Sequence, residues 1–265
     1  MRRGLIRLVA GLLFLSAHGW AQARGGAPQN PQSPRSSSPV DLTGYWVSAI
    51  TEDWRFRMVT AAKGDFESLP LNAEGTRVGN QWDPQKDIDA GEQCRVFGAG
   101  GIMRLPVRLH VTWQDDATLK MEVDNGNQVR LFRFDQSAQP PAQPEWQGFS
   151  IAEWETVAQG QGSAPGARGT GGPSGSLKVV TTHMKPGYLR RNGAPYSGNA
   201  VLTEFFDRVE RPNGDSWLIL TSIVNDPQYL QLPLVLTSQY KRETDGSKFK
   251  SRPCEVTMPL VGRRP

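Results

Sequence analysis

The sequence predicts a mainly β fold: an antiparallel up-and-down barrel of about eight to ten strands with one or two short helices, or alternatively a β-sandwich. Three observations carry this. Val107, Leu109, Val111 and Trp113 alternate with Arg108, His110 and Thr112, and Leu119, Met121 and Val123 alternate with Lys120, Glu122 and Asp124. Asn125-Gly126 separates the second run from a third at 129–134, a strong hairpin signal because a type I′ turn needs positive φ at both central residues. Four more strand-like runs, 177–184, 201–209, 217–224 and 234–240, follow in the second half. Closing such a meander removes its exposed edges, which favours a barrel.

In chain order, Arg2, Arg3 and Arg7 precede an apolar run over 8–17, and Ala21-Gln22-Ala23 has the small-x-small form of a cleavage site. Residues 1–23 therefore read as a secretory signal, too short for a membrane span, which needs about 20 apolar residues. Localisation is expected to be periplasmic or secreted, with no transmembrane anchor once the signal is cut. Residues 24–40 are rich in Pro, Ser, Gly and Gln and read as a flexible leader, with a single domain over 41–265. The chain has 30 Lys+Arg against 26 Asp+Glu; without the three signal arginines this becomes 27 against 26. No dense basic stripe is present, so nucleic acid is not an expected partner.

The first strand signal spans 44–50. Trp54, Phe56 and Met58 then alternate with Arg55 and Arg57, which reads as a second, half-buried strand. Asp83-Pro84 opens a helix running toward Cys94. Gly98-Ala99-Gly100-Gly101 stands before a strand and reads as a flexible turn without a phosphate-binding helix terminus. Residues 146–154 hold a further short strand, and 158–176, with seven glycines, form a flexible loop. The run at 217–224 is nearly all apolar, so both its faces should be covered. In an oxidising compartment, Cys94 and Cys254 should form one disulfide that fastens the tail to the helical segment. A two-cysteine metal site lacks the close cysteine spacing or histidine pair it would need, and no metal is expected.

Asp41-Leu42-Thr43-Gly44-Tyr45-Trp46 resembles the opening of lipocalins and other calycin barrels, in which the Gly begins the first strand and the Trp closes the barrel base. A broader resemblance is to uncharacterised secreted bacterial proteins. It rests on Cys94 and the glycines after it, the Asn125-Gly126 hairpin, the run from Leu202 to Arg208, and Asp226-Pro227-Gln228-Tyr229-Leu230. It implies export and a lipocalin-like barrel, and no particular activity.

Chemistry-bearing residues are few. Beyond the signal, the histidines are His110 and His183. His110 lies on the polar side of its strand and should face outward. His183 continues the face of Leu177, Val179 and Thr181 toward a glycine-bearing turn with Tyr188, where a pocket mouth is expected. Glu204 shares a strand face with Arg208; it suits a structural ion pair or, less simply, the orientation of His183 as a base. No serine-hydrolase elbow, zinc-protease motif or phosphate loop is present, and no cofactor is expected. The leading expectation is an exported protein holding a small, mainly apolar molecule in a barrel lined by Trp46, Trp54, Thr181, His183 and Trp217. The alternatives are a hydrolase or isomerase using His183 with Glu204 or Tyr188, and a structural or assembly protein of the envelope.

Overall fold

A computed structural model describes residues 32–156 and 175–259. The signal segment, the leader before residue 32 and nearly all of the glycine-rich loop lie outside the described residues. The strands are β1 (Gly44–Ala49), β2 (Arg108–Asp115), β3 (Thr118–Val123), β4 (Gln128–Arg133), β5 (Phe149–Thr156), β6 (Gly175–Thr182), β7 (Gly187–Tyr188), β8 (Pro195–Tyr196), β9 (Val201–Glu210), β10 (Ser216–Asn225) and β11 (Leu234–Glu243). Nine of them close a barrel in the order β1-β11-β10-β9-β6-β5-β4-β3-β2, with β2 returning to β1; β7 and β8 form a separate ribbon. The fold is thus a mainly β closed barrel, as the alternating runs predict.

One pairing departs from an up-and-down meander. β4 and β5 run parallel, through Phe132↔Ser150 and Arg133↔Ile151. The proline-bearing stretch 134–148 carries the chain back along the barrel, so β5 starts at the end where β4 starts. Every other barrel pairing is antiparallel.

The pairings also sort the connections between the two ends. The long segments 50–107 and 183–200, the turn 226–233 and the β3–β4 turn all lie at one end and build a cap. Four short helices contribute to it: α1 (Trp54–Arg57), α2 (Ala73–Gly79), α3 (Pro84–Asp89) and α4 (Ala99–Ile102), with a 3-10 helix at Gln93–Phe97. That is more helix than the one or two predicted. Asn72 and Asp83 cap α2 and α3 with side-chain oxygens that accept from Gly75 N and Gln85 N, and Pro84 takes the first position of α3. The Cys94 and Cys254 sulfurs stand at disulfide distance, 1.99 Å, with Cα atoms 5.1 Å apart, tying the tail to the cap.

Several local expectations are corrected. Residues 54–57 are helical, because five residues cannot fix a period and tertiary ion pairs decide. The helix turns Arg57 inward, where Nε donates to Arg104 O and the guanidinium meets Glu52 at 2.7 Å, while Trp54 is 66% exposed. The glycine run is α4, not a flexible turn. A Cβ on Gly100 would lie 2.8 Å from the Tyr196 ring, and one on Gly101 would lie 2.4 Å from Tyr188 O, so these glycines serve close packing. In the β3–β4 turn, positive φ falls on Gly126 and Asn127 rather than on Asn125 and Gly126, making a four-residue connection between Val123 and Gln128. Phe97 packs against Gly126 there, and the Asp124 carboxylate accepts from Arg108 N. On β10 only one face is buried; Trp217, Ile219 and Ile223 stay partly exposed on the outside. The packed chain also begins before Asp41: Trp154 Nε1 donates to Pro34 O, and Val40 packs on the core.

The barrel interior is filled by its own side chains. Trp46, Leu109, Phe132, Leu177, Val179 and Leu220 are each 0% exposed, and Val111, Leu119, Met121, Phe206 and Leu218 are 1%. Gly44 starts β1 at φ 118°, and the buried Trp46 donates to Leu42 O; the closed barrel is compatible with the lipocalin-like fold that this opening implies.

Candidate functional site

The predicted site residues do not converge. Trp46 is sealed in the core, Trp54 is exposed on α1, and Trp217 faces outward beneath Lys241 Nζ. His183 is exposed with φ 54° and bonds the neighbouring Thr182 hydroxyl. Glu204 pairs opposite Val179, four residues before His183, and is 0% exposed. No hydrogen bond joins the two among the described residues. His110 faces outward as expected, stacked on Tyr45 at 4.1 Å and hydrogen-bonded to Glu122.

Thr181 and Glu204, however, meet inside the barrel around Arg130. Arg130 forks onto both Glu204 oxygens at 3.0 and 2.5 Å, and its NH2 reaches Thr181 Oγ1 at 3.4 Å. Thr181 in turn shares a hydrogen bond with Ser150. Both members of the ion pair are 0% exposed, and Arg130 lies 5.0 Å over the Phe132 ring. Bidentate geometry and extra partners are what a buried pair needs to offset its desolvation.

A larger open space of about 350 Å³ lies beside the end of β11, lined by Val47, Lys241, Arg242, Glu243 and Lys248, and an aromatic one lies in the cap. A cleft of about 270 Å³ runs between α2, α3 and the β7–β8 ribbon. Trp82, Tyr188, Tyr196 and Tyr229 wall it, with Asp87 and Arg95 as its polar floor. Each wall has a local cause. Trp82 follows α2 and packs on Gly193, whose φ of 83° and absent Cβ permit that contact; a Cβ there would fall 2.1 Å from Trp82 Cγ. Tyr229 is carried by the β10–β11 turn, anchored where Asn72 Nδ2 donates to Gln228 O. On α3, Asp87 is 5% exposed and accepts from the Tyr188 hydroxyl at 2.9 Å and from Arg95 NH1 at 2.9 Å. Arg95 also pairs with Glu92.

Burial dominates the phenols here. It pushes the Tyr188 hydroxyl from its ordinary 10.0 up to about 12, against the pull of Arg95. Tyr196 is raised further for the same reason. The Tyr196 hydroxyl is buried against Gly98 and Gly187.

No protein-family model and no curated protein matches the chain. The site therefore rests on its own chemistry. Among the described residues no cluster of His, Cys, Asp and Glu could hold a metal, and no helix is long and apolar enough to cross a membrane. The cleft offers aromatic walls, one buried carboxylate and one guanidinium. Such a set can bind and orient a small molecule. Of the cleft residues only Tyr188 was a site candidate in the sequence, because the cleft draws on three separate connections.

The raised phenols have a pH consequence. A tyrosine whose folded pKa exceeds its unfolded value stabilises the fold fully below the unfolded pKa and loses that contribution as pH rises through the folded one. For Tyr188 the window runs from about pH 10 to about pH 12. Melting temperature should fall across this window and fall less steeply in Tyr188→Phe. Parallel curves for the two proteins would show that Tyr188 is not responsible.

Proposed function

We propose that the chain is an exported binding protein that seats a small molecule in the cap cleft rather than within the barrel. The observation that carries this reading is the space of about 270 Å³ walled by Trp82, Tyr188, Tyr196 and Tyr229 over the buried Asp87. Its size lies just below the about 300–1,000 Å³ of drug-sized pockets, so the ligand is small. The aromatic walls favour a flat apolar body, and Asp87 and Arg95 favour polar groups at its edge. Export is supported by the N-terminal pattern and by the Cys94–Cys254 pair.

Native mass spectrometry of protein purified without denaturation from the producing cell tests this. A reproducible bound mass, lost in Tyr229→Ala, is the expected result. Tyr229 is only half-buried in a turn, so its removal should leave the barrel folded. The reading fails if no bound mass appears and tryptophan fluorescence shows no saturable change on titration with a small-molecule extract of that cell.

A further inference from the structure

On the other side of the 186–191 segment, four arginines converge on a second, smaller cavity. Arg57, Arg104, Arg190 and Arg191 line it with Asp53, and leucines and Phe56 complete its walls. The space is about 20 Å³, room for a single water-sized particle.

The local charge does not balance. Arg55 takes Asp65 and Glu67, both at 3.0 Å. Arg57 and Arg104 share Glu52 at 2.7 and 3.2 Å, and Arg104 also takes Asp53 at 2.8 Å. Arg190 and Arg191 have no carboxylate within ion-pair distance among the described residues. Arg190 stacks 3.8 Å over the Phe56 ring and donates to Glu67 O; Arg191 donates to Arg57 O and Met58 O. Five guanidiniums thus face four carboxylates. The surplus cation borders a leucine-walled hole, where low polarity strengthens any charge interaction. One donor is also unused: Arg57 is 2% exposed, and its Nη2 has no hydrogen-bond partner in the protein. A buried guanidinium N–H without an acceptor is costly, and an anion in the cavity removes that cost.

We propose that Arg57, Arg104, Arg190 and Arg191 form a binding site for one compact monoanion, a chloride ion or the carboxylate of a small acid. The Asp53 carboxylate also borders the cavity, but it is engaged by Arg104. The pocket admits one charged group and little more, which excludes a polyphosphate or a nucleic-acid backbone. This site is separate from the aromatic cleft and does not depend on that cleft having a ligand.

The test uses the full purified protein with its disulfide intact, in sodium HEPES, whose anion is a bulky sulfonate, at fixed ionic strength. Sodium chloride and sodium acetate replace it in parallel titrations, read by melting temperature and, for chloride, by ³⁵Cl NMR line width. A saturable rise with either salt supports the site. Chloride saturation identifies a free halide, and saturation by acetate alone identifies the head group of an acid. Arg190→Gln should move the midpoint by about tenfold or more, as expected for losing one charge-assisted contact. Arg191→Gln serves as the second variant if the first does not fold. Melting curves identical in all three salts, with line widths unchanged between the wild type and the variants, would overturn the proposal.

Discussion

Glu204→Ala is expected to destabilise the protein by about 3–5 kcal/mol, the cost of leaving one partner of a buried ion pair uncompensated. Arg130 has no route to water, being 0% exposed, and its remaining side-chain hydrogen bond is a 3.4 Å approach to Thr181. The double replacement Arg130→Met/Glu204→Leu should recover that loss and leave stability neutral or raised, because apolar side chains of similar volume avoid the desolvation. Urea unfolding midpoints of the wild type, the single variant and the double variant separate these outcomes. If Glu204→Ala costs less than about 1 kcal/mol, the pair is not buried as the structure places it.

The second large effect belongs to the cysteines. Cys94→Ser/Cys254→Ser opens a loop of 160 residues. In the chain-entropy account this costs on the order of 5 kcal/mol, an upper expectation because native strain and denatured-state structure reduce it. The tail should also lose its hold on the cap, where Thr257 shares a hydrogen bond with Thr60 and Arg252 N donates to Asp124 O. The midpoint of denaturant unfolding, with and without reductant, checks this. Coincident curves for the wild type and the double variant would show that the covalent tie contributes nothing.

The barrel was legible because its strands carry period-two patterns that survive tertiary context. The residues 108–111 and 119–123 alternate in sequence and alternate in burial. The pairing of Cys94 with Cys254 followed from composition and export. The helices of the cap were less legible: α1 and α4 have four residues each, shorter than any period they could display. Residues 54–58 misled because Trp54, Phe56 and Met58 mimic a strand, while the Arg104 carbonyl that holds Arg57 inward comes from elsewhere in the chain.

Arg130 is the instructive omission. A turn centred on Asn125-Gly126 sets Asp124 opposite Asn127, and counting outward sets Met121 opposite Arg130. The four-residue connection preserves that register. Met121 lies on the apolar face of β3, so Arg130 had to point inward beside it. An inward arginine requires a carboxylate, and Glu204 was the available inward acid. The cleft offered no comparable route. Trp82, Asp87, Tyr196 and Tyr229 are spread over 50–107, 183–200 and 226–233, and nothing in their spacing states that these segments cover the same end of the barrel.

The closure of the barrel bears on how the chain reaches its fold. The seam joins the first strand to the last: Tyr45 lies opposite Glu243 and Ala49 opposite Gln239. β1 can pair with β2 once the cap segment has been made, but the ring stays open until β11 is available. Two unpaired edges persist until then, one on β1 and one on β10. Contacts between residues so far apart in sequence give a high contact order, and the entropy of closing that loop is lost before the seam returns any free energy. Folding should therefore finish in a slow step that depends on the C-terminal strand. A chain stopped before residue 234 should expose both edges and associate with other copies instead of closing.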